Sequence, residues 1–206
     1  MTPMELFRRE CTAFFDELYA GVRKPLVFGE GPEQRPVLML IGEAPGEQEA
    51  LQGRPFVGKA GKNLDAFLQA VRLKREDIYI SNVVKIRPSK ISAAGRVVNR
   101  PPTREEKALF TPWLMREISI VRPQAIVTLG NVALQAFVED VIGNRHGRWS
   151  QAVIAPPREA AFTLPLFALY HPASVIYNGS LKETYAADLD RLAHSLYADT
   201  NASADI

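Results

Sequence analysis

Val37-Leu-Met-Leu-Ile41-Gly-Glu-Ala-Pro-Gly46, VLMLIGEAPG, is a run of five apolar residues ending in a turn marked by glycine and proline. A run this short and this continuous reads as a strand buried on both faces, not as a helix. Residues 78–80, 125–129 and 166–170 have the same character. Helical patterns lie between them, at residues 62–71, 104–121, 131–138 and 181–197, and an amphipathic helix over residues 4–20 precedes the first strand. Thr103 followed by Glu106 forms a capping box at the start of the second of these helices. Strands alternating with helices imply parallel pairing through right-handed crossovers. The expected fold is α/β, three-layer α/β/α with a central four-stranded parallel sheet. One domain should span residues 1–198, with residues 199–206 (DTNASADI) a frayed tail.

In such sheets a ligand binds at the carboxyl ends of the strands. That places interest on residues 42–46, on Ser81-Asn82, on Gly130-Asn131 and on His171-Pro-Ala-Ser174. Composition excludes several classes. The 206 residues are 47% apolar and 23% charged, which fits a globular domain and neither disorder nor collagen. The amino terminus mixes acids with apolar residues and is neither a secretory signal nor an anchor, and no run is long enough for a membrane span. A single cysteine, Cys11, excludes an intramolecular disulfide and a metal site built from cysteines alone. A cytoplasmic address follows as the expectation.

Gly53-Arg-Pro-Phe-Val-Gly-Lys-Ala-Gly61 resembles a phosphate-binding P-loop and fails the chemistry of one. Ala60 lacks the hydroxyl that holds magnesium, Pro55 removes an amide, and no strand leads into the first glycine. Phe56 is the unusual residue here, placed on no amphipathic face. It is either tucked under its own loop or a platform for stacking a base. The net charge is +2, yet from Ser81 to Arg104 there are six basic residues and no acid. This is a solvated loop or a phosphate-facing one.

Taken together, Gly42-Glu-Ala-Pro-Gly46, Glu49, residues 53–61, Ser81-Asn-Val-Val-Lys85 and His171-Pro-Ala resemble the uracil-DNA glycosylase superfamily, and family 4 in particular. Phe28-Gly-Glu-Gly31 and Asn99-Arg-Pro-Pro-Thr103 also match its signatures, and the likeness runs from about Arg23 to Leu192. It implies a monofunctional enzyme that flips uridine from DNA and hydrolyses its N-glycosidic bond, opening base excision repair. Gly42, Glu43, Ala44, Phe56, Asn82 and His171 would line the uracil pocket. Phe56 would stack on the base, Asn82 would pair with O4 and N3–H, and His171 would stand beside O2. Glu43 would position water and Glu49 would shape the pocket, although either carboxylate could instead cap the helix that follows. Lys59, Lys62, Lys85, Arg87, Lys90, Arg96 and Arg100 would contact phosphates. Val175, Ile176 and Tyr177 are candidates to prop the gap left by the flipped base, unless Tyr177 packs internally.

Departures from the family pattern also carry information. Ala44 stands where a better-known subgroup has a water-activating aspartate, and Gly46 where it has a tyrosine. The four positions that bind an iron-sulfur cluster in family 4 correspond to Phe14, Glu17, Ile86 and Phe110, none a cysteine. A colourless protein without metal or other cofactor is expected, with apolar packing in place of the cluster. Asn99 stands about where a related, covalently trapped subgroup has a histidine. The expected protein is a monomer acting on uracil-containing DNA, single- or double-stranded, away from membranes. The alternative is a protein that binds or traps uracil-DNA with little turnover.

Overall fold

The computed structural model describes residues 1–202, and only the backbone at residues 59–60, 176–177 and 197–202. The chain runs α1 (Pro3–Leu18), β1 (Leu38–Gly42), α2 (Glu47–Gln52), α3 (Lys59–Ala70), β2 (Ile78–Asn82), β3 (Ser89–Ile91), β4 (Val97–Asn99) and α4 (Arg104–Val121). It continues through β5 (Ala125–Leu129), α5 (Asn131–Leu134), α6 (Ile142–Arg145), β6 (Trp149–Ile154), β7 (Phe162–Leu169), α7 (Pro172–Tyr177) and α8 (Lys182–Ala202).

The sheet order is β2-β1-β5-β7-β6. The first four strands are parallel, as the apolar runs require, and β6 pairs antiparallel to β7. The sheet is therefore five-stranded, not four-stranded. The additional strand lies on the sheet edge and alternates exposed Trp149, Gln151 and Val153 with interior partners, so its sequence lacks a continuous apolar run. A second difference is the antiparallel ribbon β3–β4 within the basic stretch. Gly95, at φ +71°, closes it: its N–H donates to the Ser92 carbonyl, and Ser92 N–H donates to Arg96 O at 2.8 Å. A three-residue loop with glycine in the left-handed position is a standard hairpin closure.

Strand residues alternate between two cores. Met39, Ile41 and Tyr79 face α1 and α4, whereas Leu38, Leu40, Ile78 and Ile80 face α3 and α8. Burial on both faces explains why β1, β2 and β5 are apolar throughout. The capping box at Thr103 and Glu106 is formed, with Thr103 N–H donating to Glu106 Oε2 at 2.8 Å. Helix α5 ends at Leu134, short of the expected residue 138, and α8 continues through the expected tail to Ala202. Residues 203–206 lie outside the described residues. No helix among those described is long and apolar enough to cross a membrane.

Candidate active site

The carboxyl ends of β1, β2 and β7 converge on two adjoining cavities of about 570 and 420 Å3. Phe56, Asn82, Glu49 and Gly58 line the larger one; Glu43, Asn131, Tyr170 and Ser174 line the smaller. Ala44, Gly46, Asn99 and His171 belong to both. The floor of the larger cavity forms where strand register sets Gly42 beside Asn82. A Cβ on Gly42 would come 2.5 Å from Asn82 Oδ1 and 2.8 Å from Phe56 Cζ, so only glycine lets these two side chains approach. Asn82 is 3% exposed, and among the described residues its carboxamide has no hydrogen-bond partner. An unpaired amide that a largely buried residue presents to a cavity is primed for a ligand that pairs with it.

Phe56 is 4% exposed and has φ +53°, a left-handed conformation that is costly for a bulky residue. Its neighbours hold it from two sides. Arg75 donates to the Pro55 carbonyl at 3.0 Å and to the Phe56 carbonyl at 3.3 Å. Glu49 Oε1 accepts from Val57 N–H at 3.1 Å and Gly58 N–H at 2.8 Å, while its Oε2 accepts from Gly46 N–H. Glu49 thus ties together the two loops that wall the cavity. Its carboxylate is engaged by three backbone donors, an arrangement suited to positioning and not to proton transfer.

Lys85 departs from its expected role. It is fully buried, and its ammonium donates to Ser81 Oγ at 2.6 Å, to the Asn82 carbonyl at 2.8 Å and to Glu117 Oε2 at 2.5 Å. Every ammonium hydrogen is spent inside the protein, so Lys85 does not reach DNA phosphate. Glu117, also buried, additionally accepts from Ser81 Oγ, Tyr79 OH and Gly29 N–H. This network fixes the backbone that presents Asn82. Glu117 had a readable signal: with Phe110, Leu114 and Val121 it shares the apolar stripe of α4, where a carboxylate demands a buried cation.

His171 caps α7, its Nδ1 accepting from Ala173 N–H at 3.2 Å. That bond assigns the neutral tautomer with the proton on Nε2. Burial lowers the His171 pKa and so favours the same neutral form. Glu43 is half-buried in the smaller cavity, and burial raises its carboxyl above the ordinary value against the opposing pull of Lys107. Among the described residues its carboxylate has no hydrogen-bond partner, which leaves it available to a water.

The remaining basic residues divide. Arg87 donates to Asn99 Oδ1 at 2.7 Å and pairs with Glu47, and Arg100 forms a two-pronged bond with Glu106. Both are committed to holding the base of the ribbon, which removes them as free phosphate contacts. Lys90 and Arg96 are exposed and have no acidic partner among the described residues, and Lys62 is exposed on α3. The Lys59 side chain lies outside the described residues. The segment after His171 is the helix α7, and Val175 on it lines a separate hollow with Phe67, Pro172 and Tyr185. The side chains of Ile176 and Tyr177 lie outside the described residues. Asn99, singled out by the sequence, lines both cavities, whereas Arg75 is a site residue whose placement the sequence did not indicate.

The cluster positions are unsuited to iron and sulfur. Phe110 stacks on Phe15 with centroids 4.2 Å apart and planes 8° from parallel, and Ile86 is buried beside them. Phe14 is 42% exposed and meets Phe15 edge-on, so Phe15, and not Phe14, fills the interior. Cys11 is buried, and burial pushes its thiol up to about 12, far from thiolate.

Residues 28–192 match the family described as the uracil DNA glycosylase superfamily. A type-4 uracil-DNA glycosylase of Archaeoglobus fulgidus is 37% identical over 166 residues, 80% of this chain and 78% of that relative. Another, from Pyrobaculum aerophilum, is 36% identical over 173 residues, 81% of each chain. The crystal structure of Pedobacter heparinus SMUG2 shares the fold with a TM-score of 0.52 at 16% identity, covering 82% of this chain and 77% of that one. The pocket geometry, the family match and the identity to these relatives together mean that the chain belongs to the uracil-DNA glycosylase superfamily, without the cysteines of an iron-sulfur cluster.

Proposed function

We propose that the protein is a monofunctional uracil-DNA glycosylase of base excision repair, hydrolysing the N-glycosidic bond of a uridine flipped into the larger cavity. The carrying observation is the convergence of Phe56, Asn82 and a neutral, Nε2-protonated His171 on one cavity, with Gly42 letting Phe56 and Asn82 approach. Phe56 offers its ring to the base, a stack worth about 1–3 kcal/mol. Asn82 Nδ2 donates to uracil O4 and Oδ1 accepts from N3–H; cytosine presents the opposite pattern and leaves both groups unpaired.

As the C1′–N1 bond breaks, its electron pair passes to the base, and His171 Nε2–H donates to O2 where the charge grows. The sugar becomes oxocarbenium-like, and water held by Glu43 adds to C1′ while its proton passes to the carboxylate or to solvent. The uracil anion takes up a proton from solvent, balancing the one that water gives up, and the products are uracil and an abasic site. No metal or other cofactor takes part. Lys62, Lys90 and Arg96, with Lys59, supply phosphate contacts, and one domain acts as a monomer on single- or double-stranded DNA.

The test is alkali cleavage of a uracil-containing oligonucleotide after incubation with enzyme. Strand breakage at uracil supports the reading; its absence at high enzyme and low salt sinks it. Asn82→Ala should lower excision about a hundredfold or more while leaving DNA affinity nearly unchanged, because base readout is lost and phosphate contacts remain. Equal loss of both would refute the role of Asn82. The rival reading, a trapping protein, predicts a shifted band that survives a denaturing gel.

A further inference from the structure

The ribbon β3–β4 rises from the rim of the base pocket, because Asn99 at its foot lines both cavities. Its register pairs Ser89 with Asn99, Lys90 with Val98 and Ile91 with Val97. Side chains two residues apart on a strand share a face, and directly paired residues do as well. Ile91 and Val97 therefore stand side by side on the face that carries Asn99, about 7 Å further out along the strand. They are 75% and 55% exposed. Single exposed apolar residues are ordinary, but these two form one cross-strand pair above a nucleotide-sized opening. Charge narrows what can cover them. By the same alternation exposed Lys90 and Arg96 lie on the opposite face of the ribbon, with no acid among residues 81–104, while Arg87 and Arg100 are tied down at the foot. A ribbon with an apolar pair on one face and unpaired cations on the other, standing at the rim of the base pocket, suits a polyanion that also exposes apolar faces.

We infer that the ribbon is a DNA-inserting element, with Ile91 and Val97 packing against the base step beside the flipped nucleotide in duplex DNA. This rests on the glycosylase reading. An apolar side chain that replaces lost stacking stabilises the extruded state, and single-stranded DNA, with no stack to break, gains little from it. The pair therefore acts on duplex substrate.

The experiment compares wild type with Ile91→Ser/Val97→Ser on uracil in duplex and in single-stranded oligonucleotides. The same proteins are titrated onto a duplex holding a tetrahydrofuran abasic analogue next to 2-aminopurine. The substitutions are at exposed positions, and an unchanged melting temperature checks that the fold is intact. Expected is about a tenfold drop in kcat/KM on duplex, a change within about twofold on single strands, and loss of the 2-aminopurine emission change seen with wild type. Equal effects in both strand contexts, or an unaltered emission response, would overturn the inference. So would a wild-type dimer that the double variant converts to monomer in sedimentation, since the pair would then serve self-association. If wild type excises no uracil in either context, the glycosylase reading fails, and the abasic-duplex titration still decides whether the ribbon inserts.

Discussion

Lys85 and Lys90 belong to the same acid-free stretch and lie five residues apart, yet one is fully buried and the other exposed. Up to Pro88 the chain forms the dry floor of the pocket; from Ser89 to Asn99 it is a wet ribbon. In the floor, charge is spent on internal geometry, with Lys85 satisfied by Ser81, Asn82 and Glu117. In the ribbon, charge is left for a partner. A run of like charge in a sequence thus specifies neither burial nor role; those depend on whether a carboxylate elsewhere in the fold comes to meet it.

The sharpest way to break this contrast is Lys85→Met, which leaves the Glu117 carboxylate buried without its cation. Unfolding in denaturant should show a loss of about 3–5 kcal/mol, much of it recovered when Glu117→Leu is added. A stability unchanged by Lys85→Met would mean that the floor does not depend on its ion pair. Next in size is the clamp on Phe56. Arg75→Ala releases the Pro55 and Phe56 carbonyls and lets the left-handed Phe56 relax, lowering kcat/KM by about tenfold. Arg75 is a positioning residue, so the loss should fall mainly on KM, and Arg75→Lys should restore part of it.

Acidity probes the floor, and salt probes the ribbon. Burial holds His171 below the ordinary histidine value and Glu43 above the ordinary carboxylate value. Excision should therefore stay level as pH falls through about 6.5, where a free histidine would charge. It should decline at lower pH as Glu43 and His171 take up protons; Glu43→Gln removes one of these steps from the pH–rate profile. The same shift affects stability: unfolded His171 binds a proton near its ordinary value and the folded form does not. Its contribution is thus full above that value and is lost as pH falls toward the lowered folded pKa. The smallest effect is on the ribbon. Lys90→Ala/Arg96→Ala should weaken DNA binding alike for all sequences and reduce the slope of log affinity against log salt by about 2.

The sequence disclosed those parts of the fold whose chemistry is local. Apolar runs bounded by glycine marked β1, β2, β5 and β7, and the Thr103–Glu106 box marked the start of α4. β6 was hidden because an edge strand with one wet face has no such run, and the ribbon because its two strands are three residues long and largely exposed. Gly42, Phe56, Asn82 and His171 were legible as an ordered set, since each follows a strand end or stands in a glycine-bounded loop. The supports beneath them were not. Arg75 reaches Phe56 across 19 residues and Glu117 reaches Lys85 across 32, and nothing in the neighbourhood of either residue names its partner. Glu117 was detectable only as a carboxylate on an apolar stripe, and Arg75 carried no signal at all.

Phe110, at a position that the family-4 resemblance assigns to a cluster ligand, lies flat on Phe15 in the interior. The exchange alters how the molecule matures. Two phenyl rings need no iron, no sulfide and no assembly proteins, and they are in place as soon as the polypeptide has collapsed. Packing of this kind offers oxidants no cysteine-held cluster to dismantle.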